Sequence, residues 1–190
     1  MGVGDAPKTR EALLSAAESL LEREGPDGVT TRAVCAAANV RAPTLYHYFG
    51  DKNGLLDALV AKGIEAFLER KQAGPETHDA RADLVRGWEA FIEFALERPQ
   101  LFRLITQRVG DNPQILDAAM ATTTARLARL ASEDRLVTDV ALACRCLLAL
   151  STGVTALWTQ GASKVEVETV GRLLLDATLN ALIRKPRLTS

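Results

Sequence analysis

From Val40 to Lys52 the chain reads Val-Arg-Ala-Pro-Thr-Leu-Tyr-His-Tyr-Phe-Gly-Asp-Lys. Arg41, Thr44, Tyr46, His47, Tyr48 and Lys52 crowd guanidinium, hydroxyl, imidazole and ammonium donors into little more than three helical turns. Such donors suit the phosphate backbone of a nucleic acid, which is a continuous row of acceptor oxygens. Leu45 and Phe49 lie four apart, so they share the opposite helix face and are expected to hold the segment to a core, together with Val34 and Val40.

The elements that position these donors can be read from local signals. Thr30 precedes Thr31-Arg32-Ala33-Val34-Cys35-Ala36-Ala37-Ala38 and is a suitable N-cap for a compact helix. Asn39 tolerates the left-handed conformation that ends such a helix. Pro43 has no N–H to donate and belongs in the first turn of a second helix, which therefore starts near Arg41 or Ala42. Asp51 is a good N-cap for a longer helix carrying Leu55, Leu56, Leu59, Val60, Ile64, Phe67 and Leu68.

This helix–turn–helix resembles the DNA-binding domain of the tetracycline-repressor (TetR) family of transcriptional regulators. The resemblance runs from about Leu13 to Leu59. It rests on the ordered set Thr30-Thr31-Arg32, Ala36, Val40, Pro43-Thr44-Leu45-Tyr46-His47-Tyr48-Phe49 and Lys52, followed by Leu55-Leu56. It implies that the second helix enters the major groove and that a dimer reads two half-sites about 34–36 Å apart or more. Arg32 matches a position used for base contact in the family and can donate in a fork to guanine. Thr44 can reach a phosphate or a base edge and touch a thymine methyl. Tyr46, His47, Tyr48 and Lys52 would donate to phosphates, and Thr31 would contact phosphate or support the first turn. Ala42, beside Pro43, stands where some relatives carry a longer polar reader, so discrimination there falls to its methyl surface or to Arg41. Asn39 replaces the more usual turn Gly.

Composition frames this reading. The net charge is −1, so a nucleic-acid interface must rest on local charge: between residues 30 and 56, Arg32, Arg41, Lys52 and the titratable His47 face only Asp51. Nothing at the start of the chain marks secretion, and a cytoplasmic location is expected. Cys35, Cys144 and Cys146 lack metal-ligand spacing and are expected to be core thiols. No metal and no cofactor are implied. Only His47 and His78 are present, with no nucleophile or phosphate loop beside His78, so no enzyme is expected.

Along the rest of the chain, Leu13, Leu14, Ala17, Leu20 and Leu21 give a helix from about Lys8 to Glu24, ended by Gly25-Pro26-Asp27-Gly28. Gly74-Pro75-Glu76-Thr77 breaks the helix that follows Asp51. Trp88, Phe91, Ile92, Ala95 and Leu96 form a helix face closed by Arg98-Pro99, with Leu101, Phe102 and Ile105 on the next helix. Asp111-Asn112-Pro113 repeats the cap-then-Pro signal before Leu116, Met120, Thr123, Leu127 and Leu130. Between Val140 and Gln160 the only charge is Arg145. Ser151, Thr152, Thr155 and Thr159 weigh against a membrane span there, which leaves burial on more than one side. A last helix from about Lys164 to Lys185 carries Val167, Val170, Leu174, Ala177 and Ala181 on one stripe, widened by Leu173, Leu175, Leu179 and Leu182. Two adjacent helices with excess apolar area predict a homodimer through the last two helices.

The expected fold is all-α, with about nine helices. A three-helix helix–turn–helix DNA-binding domain (residues 1–54) joins, through a linking helix, a larger helical effector-binding and dimerisation domain (55–190). The resemblance also implies partners: a double-stranded DNA operator and a small-molecule effector that releases a repressor. An apolar pocket would draw on Trp88, Phe91, Phe102, Met120 and Trp158, with Arg108 or Thr155 as polar contacts. The competing reading is a helical protein-interaction module that responds to neither DNA nor ligand.

Overall fold

The structure, a computed structural model, describes residues 6–72, 76–111 and 115–184. Asn112, Pro113, Gly74, Pro75 and Lys185, and the Leu116 side chain, lie outside the described residues, so the signals read there are not placed. The described residues form nine helices: α1 (Ala6–Gly28), α2 (Thr31–Ala37), α3 (Ala42–Phe49), α4 (Lys52–Gln72), α5 (Ala80–Glu97), α6 (Pro99–Asp111), α7 (Ile115–Ser132), α8 (Val140–Thr159) and α9 (Lys164–Leu182). Among them there is no strand beyond one isolated bridge, Leu136 to Ile183.

By packing, the chain divides into two compact units. The first comprises residues 1–66 and 98–112, the second 67–97 and 113–190. These units do not follow the 54/55 division expected from sequence, because residues 55–66 and 98–112 pack within the first.

In the first unit Leu13, Leu14, Ala17, Leu20 and Leu21 are buried as their spacing predicts, joined by Val29, Leu55, Leu59 and Leu101. Gly25 (φ 72°, ψ −175°) interrupts α1, and a short final turn follows Pro26. A side chain at Gly25 would be strained at that φ, so the kink belongs to this residue. Helix α6 packs on α1 in this unit. The Glu22 carboxylate accepts the backbone N–H groups of Leu101 (2.9 Å) and Gln100 (3.3 Å), which are otherwise orphaned at the α6 N-terminus. Arg98 pairs with Glu18 at 2.5 Å, and Arg108 near the other end of α6 pairs with Asp57 at 3.3 Å.

The second unit gathers the end of α4 with α5, α7, α8 and α9 around Leu84, Trp88, Ile92, Leu127, Leu130, Leu147, Val154 and Leu179. Helix α9 ends at Leu182, three residues before the expected boundary. There the chain turns extended, with Val137 donating to the Leu182 carbonyl (2.8 Å) and Arg184 donating to that of Arg135 (2.7 Å).

The buried row of α9 also differs from expectation. It is Val167, Gly171, Leu175, Leu179 and Leu182, while Leu174, Ala177 and Ala181 are exposed. A glycine fills the row because α9 approaches closely there: a Cβ at Gly171 would lie 3.2 Å from Val154 Cγ1 and 3.5 Å from the Trp88 ring. Helix α8 is long and apolar enough to cross a membrane by length and composition alone. In this unit it packs against α7 and α9 and buries Ala143, Leu147, Val154 and Thr155.

Candidate nucleic-acid interface and effector unit

The turn between α2 and α3 is built from backbone hydrogen bonds that the sequence makes possible. Thr30 accepts the Ala33 N–H at 3.1 Å and caps α2. At the other end Asn39 adopts φ 53°, its N–H donates to Ala36 O (3.3 Å), and the Val40 N–H donates to Cys35 O (3.0 Å). This pair of bonds is a Schellman closure with Asn in the left-handed position. Arg41 then takes the N-cap position of α3 in an extended conformation without a side-chain capping bond, and Pro43 occupies the first turn.

A helix of eight residues is too short to be stable alone. Leu45, fully buried, fixes it to the first unit, an anchor worth about 1.5–3 kcal/mol. Val34 is also fully buried, whereas Val40 and Phe49 are half-buried, and the Arg10 guanidinium lies 5.5 Å over the Phe49 ring.

With Leu45 inward, Arg41, Pro43, Tyr46 and His47 are exposed, and Ala42, Thr44 and Tyr48 are half-buried. Tyr46 keeps 50% of its surface open. The His47 and Tyr48 rings meet edge to face at 5.2 Å. On α2, Arg32 is exposed and Thr31 half-buried. Lys52 starts α4 and donates to the Pro26 carbonyl at 3.2 Å, which ties the beginning of α4 to the kinked end of α1. Asp51 is engaged as the α4 cap, accepting the Gly54 N–H at 2.8 Å. The one acidic side chain of the segment is thereby turned to its own backbone.

The ligand candidates divide between the units. Phe102 and Arg108 lie on α6 in the first, where the Arg108 guanidinium is engaged by Asp57 and by Asn53 at 3.3 Å. Trp88, Phe91, Met120, Thr155 and Trp158 lie in the second. Trp88 is buried 6.0 Å from Phe91, whose ring meets Phe67 at 6.1 Å, and Trp158 packs against the same core. Met120 is half-buried. The Thr155 hydroxyl donates to Ser151 O on its own helix at 2.8 Å, so its proton is already committed.

A groove of about 580 Å³ in this unit runs past Trp88, Ile92 and Leu175 and is edged by Arg70, Lys71 and Arg86 with Glu89 and Glu93. His78 is exposed, and among the described residues no group of three or more metal-ligating side chains comes together.

The sequence reading missed a buried charged cluster at α4, α5 and α7. Asp83 is fully buried and accepts the Thr77 N–H (3.1 Å), the Thr77 hydroxyl (2.7 Å), Arg86 (2.6 Å) and Arg129 (3.4 Å). Burial pushes its carboxyl pKa up, but the two Thr77 hydrogen bonds and the Arg86 and Arg126 charges outweigh that and hold it below the ordinary value. Lys71 (9% exposed) donates to Ala119 O at 2.5 Å and Thr123 Oγ1 at 2.8 Å, and Arg126 (4% exposed) lies beside it. One signal was available: Arg126 stands three residues from Thr123 and four from Leu130, on the stripe that supplies the buried face of α7.

Comparison with known proteins agrees with this architecture. Residues 13–59 match the bacterial regulatory proteins of the tetR family. The chain is 42% identical over 53 residues to the class D tetracycline repressor protein of Escherichia coli, covering 28% of this chain and 24% of that protein. It is 28% identical over 127 residues to the HTH-type transcriptional regulator BetI of Stenotrophomonas maltophilia, covering 57% and 64%. The matches thus span less than two thirds of these relatives' length. The structure of a protein of unknown function from Rhodococcus sp. RHA1 superposes with a TM-score of 0.74 at 27% identity, over 93% of this chain and 96% of the other. Residues 13–59 thus carry the helix–turn–helix of the tetR family of bacterial regulatory proteins, in a chain that shares the fold of the Rhodococcus protein over nearly its whole length.

Proposed function

We propose that this chain is a cytoplasmic, homodimeric transcriptional repressor that binds a palindromic operator and is released from it by a small, largely apolar ligand. The observation that carries the reading is α3, a short helix held by Leu45 with Arg41, Pro43, Tyr46 and His47 turned outward beside the exposed Arg32. Residues 1–54 take the DNA-contacting role. Arg32, Arg41, Ala42 and Thr44 read bases, Pro43 sets the start of the reading helix, and Thr31, Tyr46, His47, Tyr48 and Lys52 address the backbone. Residues 55–190 take the effector and dimer roles. The ligand acts by binding more tightly to the form that does not fit DNA, since equal affinity for both forms shifts nothing.

Selection of DNA from a random library, followed by titration at rising salt, tests the reading. Affinity is expected to fall with a log–log slope of about −0.9 per phosphate neutralised. Salt-independent binding, or no selected sequence, sinks it. Tyr46→Phe should weaken all sequences alike, by about 0.5–1.5 kcal/mol for one lost hydrogen bond. Arg32→Ala should instead relax discrimination at one base pair by about 1–3 kcal/mol.

The dimer is assigned to α8 and α9, where Leu142 (45% exposed), Val165 (72%) and Leu173 (70%) leave apolar surface uncovered on one protomer. In sedimentation, Leu142→Glu with Leu173→Glu should raise the dimer dissociation constant at least about tenfold. Operator affinity should fall with it. An undisturbed dimer would move the interface elsewhere.

A further inference from the structure

Two cations are buried side by side in the second unit with no carboxylate in contact. The Nε and Nη1 of Arg126 have no hydrogen-bond acceptor, and its Nη2 reaches only the Lys71 carbonyl at 3.5 Å. The acceptors of Lys71, Ala119 O and Thr123 Oγ1, are both neutral. Among the described residues neither cation forms an ion pair, and the buried carboxylate of Asp83 is bonded to Thr77, Arg86 and Arg129 instead. The two side chains converge on Gly87: a Cβ there would lie 2.6 Å from Arg126 Nη1 and 3.5 Å from Lys71 Cε. The missing side chain is what admits a guanidinium against α5. Buried guanidinium and ammonium groups are costly unless an anion meets them. Lys71, unlike the Arg126 beside it, also lines the 580 Å³ groove next to Trp88, and its ammonium lies 5.6 Å from the Phe67 ring centre.

We propose that Lys71 and Arg126 are the anion-binding end of the effector site, and that the effector is a small molecule with a carboxylate at one end and an apolar body. The inference rests on the effector-binding reading of this unit and narrows it. A carboxylate fits better than a phosphate because it is cheaper to dehydrate, carries one charge and is planar like the guanidinium it would meet. The apolar body would lie along Trp88 and Ile92 in the groove. Burial and the Arg126 charge both depress the Lys71 ammonium, and an arriving carboxylate would restore it.

The test measures thermal unfolding and calorimetric binding of the full chain with sodium benzoate, sodium octanoate, their neutral amides and inorganic phosphate, at constant ionic strength. A saturable stabilisation by at least one carboxylate is expected, with none from its amide. The carboxylate should bind at least about tenfold more weakly to Arg126→Met and Lys71→Met. Lys71→Met should melt at or above the wild-type temperature without ligand, because it removes an unpaired buried charge, whereas Arg126→Met also gives up a longer-range attraction to Asp83. Phosphate binding in place of the carboxylates, equal response to acid and amide, or variants that melt lower and still bind would each overturn the assignment.

Operator release by the same compounds is measured separately. Carboxylate binding that depends on both cations but leaves operator binding unchanged would uphold the site and defeat the effector reading. Release of the operator by an amide alone would uphold that reading and defeat the site.

Discussion

Replacing Asp83 with alanine is expected to lower the unfolding free energy by about 3–5 kcal/mol, measured by urea denaturation at fixed protomer concentration. The carboxylate is fully buried and serves four donors: the Thr77 amide and hydroxyl, Arg86 and Arg129. Its removal leaves the Thr77 amide without its acceptor just before α5 and takes away the carboxylate charge that acts on Arg126. Arg86 and Arg129 are partly exposed and can turn to water, which places the loss toward the lower end of that range. The effect depends on pH. A carboxyl whose folded pKa lies below its unfolded value stabilises fully above the unfolded value, and the stabilisation disappears as pH falls through the folded one. Wild type and Asp83→Asn should therefore approach each other in stability below about pH 4. A constant gap from pH 7 to pH 3 would show that the charge of Asp83 is not what stabilises.

Lys71→Met should act in the opposite direction and stabilise the protein at pH 7. The ammonium is pulled down to about 8 by burial first and the Arg126 charge second, from an ordinary 10.5. A difference of that size corresponds to roughly 3 kcal/mol held against folding wherever both states carry the proton. Loss of the bonds to Ala119 O and Thr123 Oγ1 returns part of this, so a net gain of about 1–2 kcal/mol is expected. Between pH 8 and 10.5 the unfolded chain holds the Lys71 proton more firmly than the folded one, so wild-type stability rises relative to the variant. The gap should close across that window, read as the difference between two urea series. A variant less stable at pH 7, with a gap that ignores pH, would mean that the two hydrogen bonds outweigh the buried charge.

What could be read from the sequence follows the range of the forces involved. Thr30, Asn39, Pro43 and Asp51 act on backbone groups within four residues of themselves, so the caps and the turn around α2 and α3 were readable one residue at a time. Arg98-Pro99 marked the α5–α6 boundary for the same reason. Burial of a particular helix face depends on neighbours distant in sequence. The apolar side of α9 was wide enough that its spacing allowed two rows, and contact with Val154 and Trp88 selected the one running through Gly171. Phe102 and Arg108 have the residue types of a pocket lining, and only tertiary packing shows that α6 lies on α1 in the first unit with Asp57 beside the arginine. Lys71 and Arg126 were invisible for a further reason: charged residues at helix ends and on stripes usually reach water, and only tertiary packing shuts these two in.

The assignment of α6 to the first unit determines how this protein can be taken apart. The chain passes between the units at residues 66/67, 97/98 and 112/113, so no single cut releases the first unit whole. A fragment ending at Ala66 would carry the complete helix–turn–helix but strip α1 of its cover. Glu22 would lose the N-terminus it caps, Glu18 would lose Arg98, and the apolar surface beneath Leu101 would open to solvent. A head exchanged with a relative's must therefore travel as two pieces of chain, residues 1–66 together with 98–112.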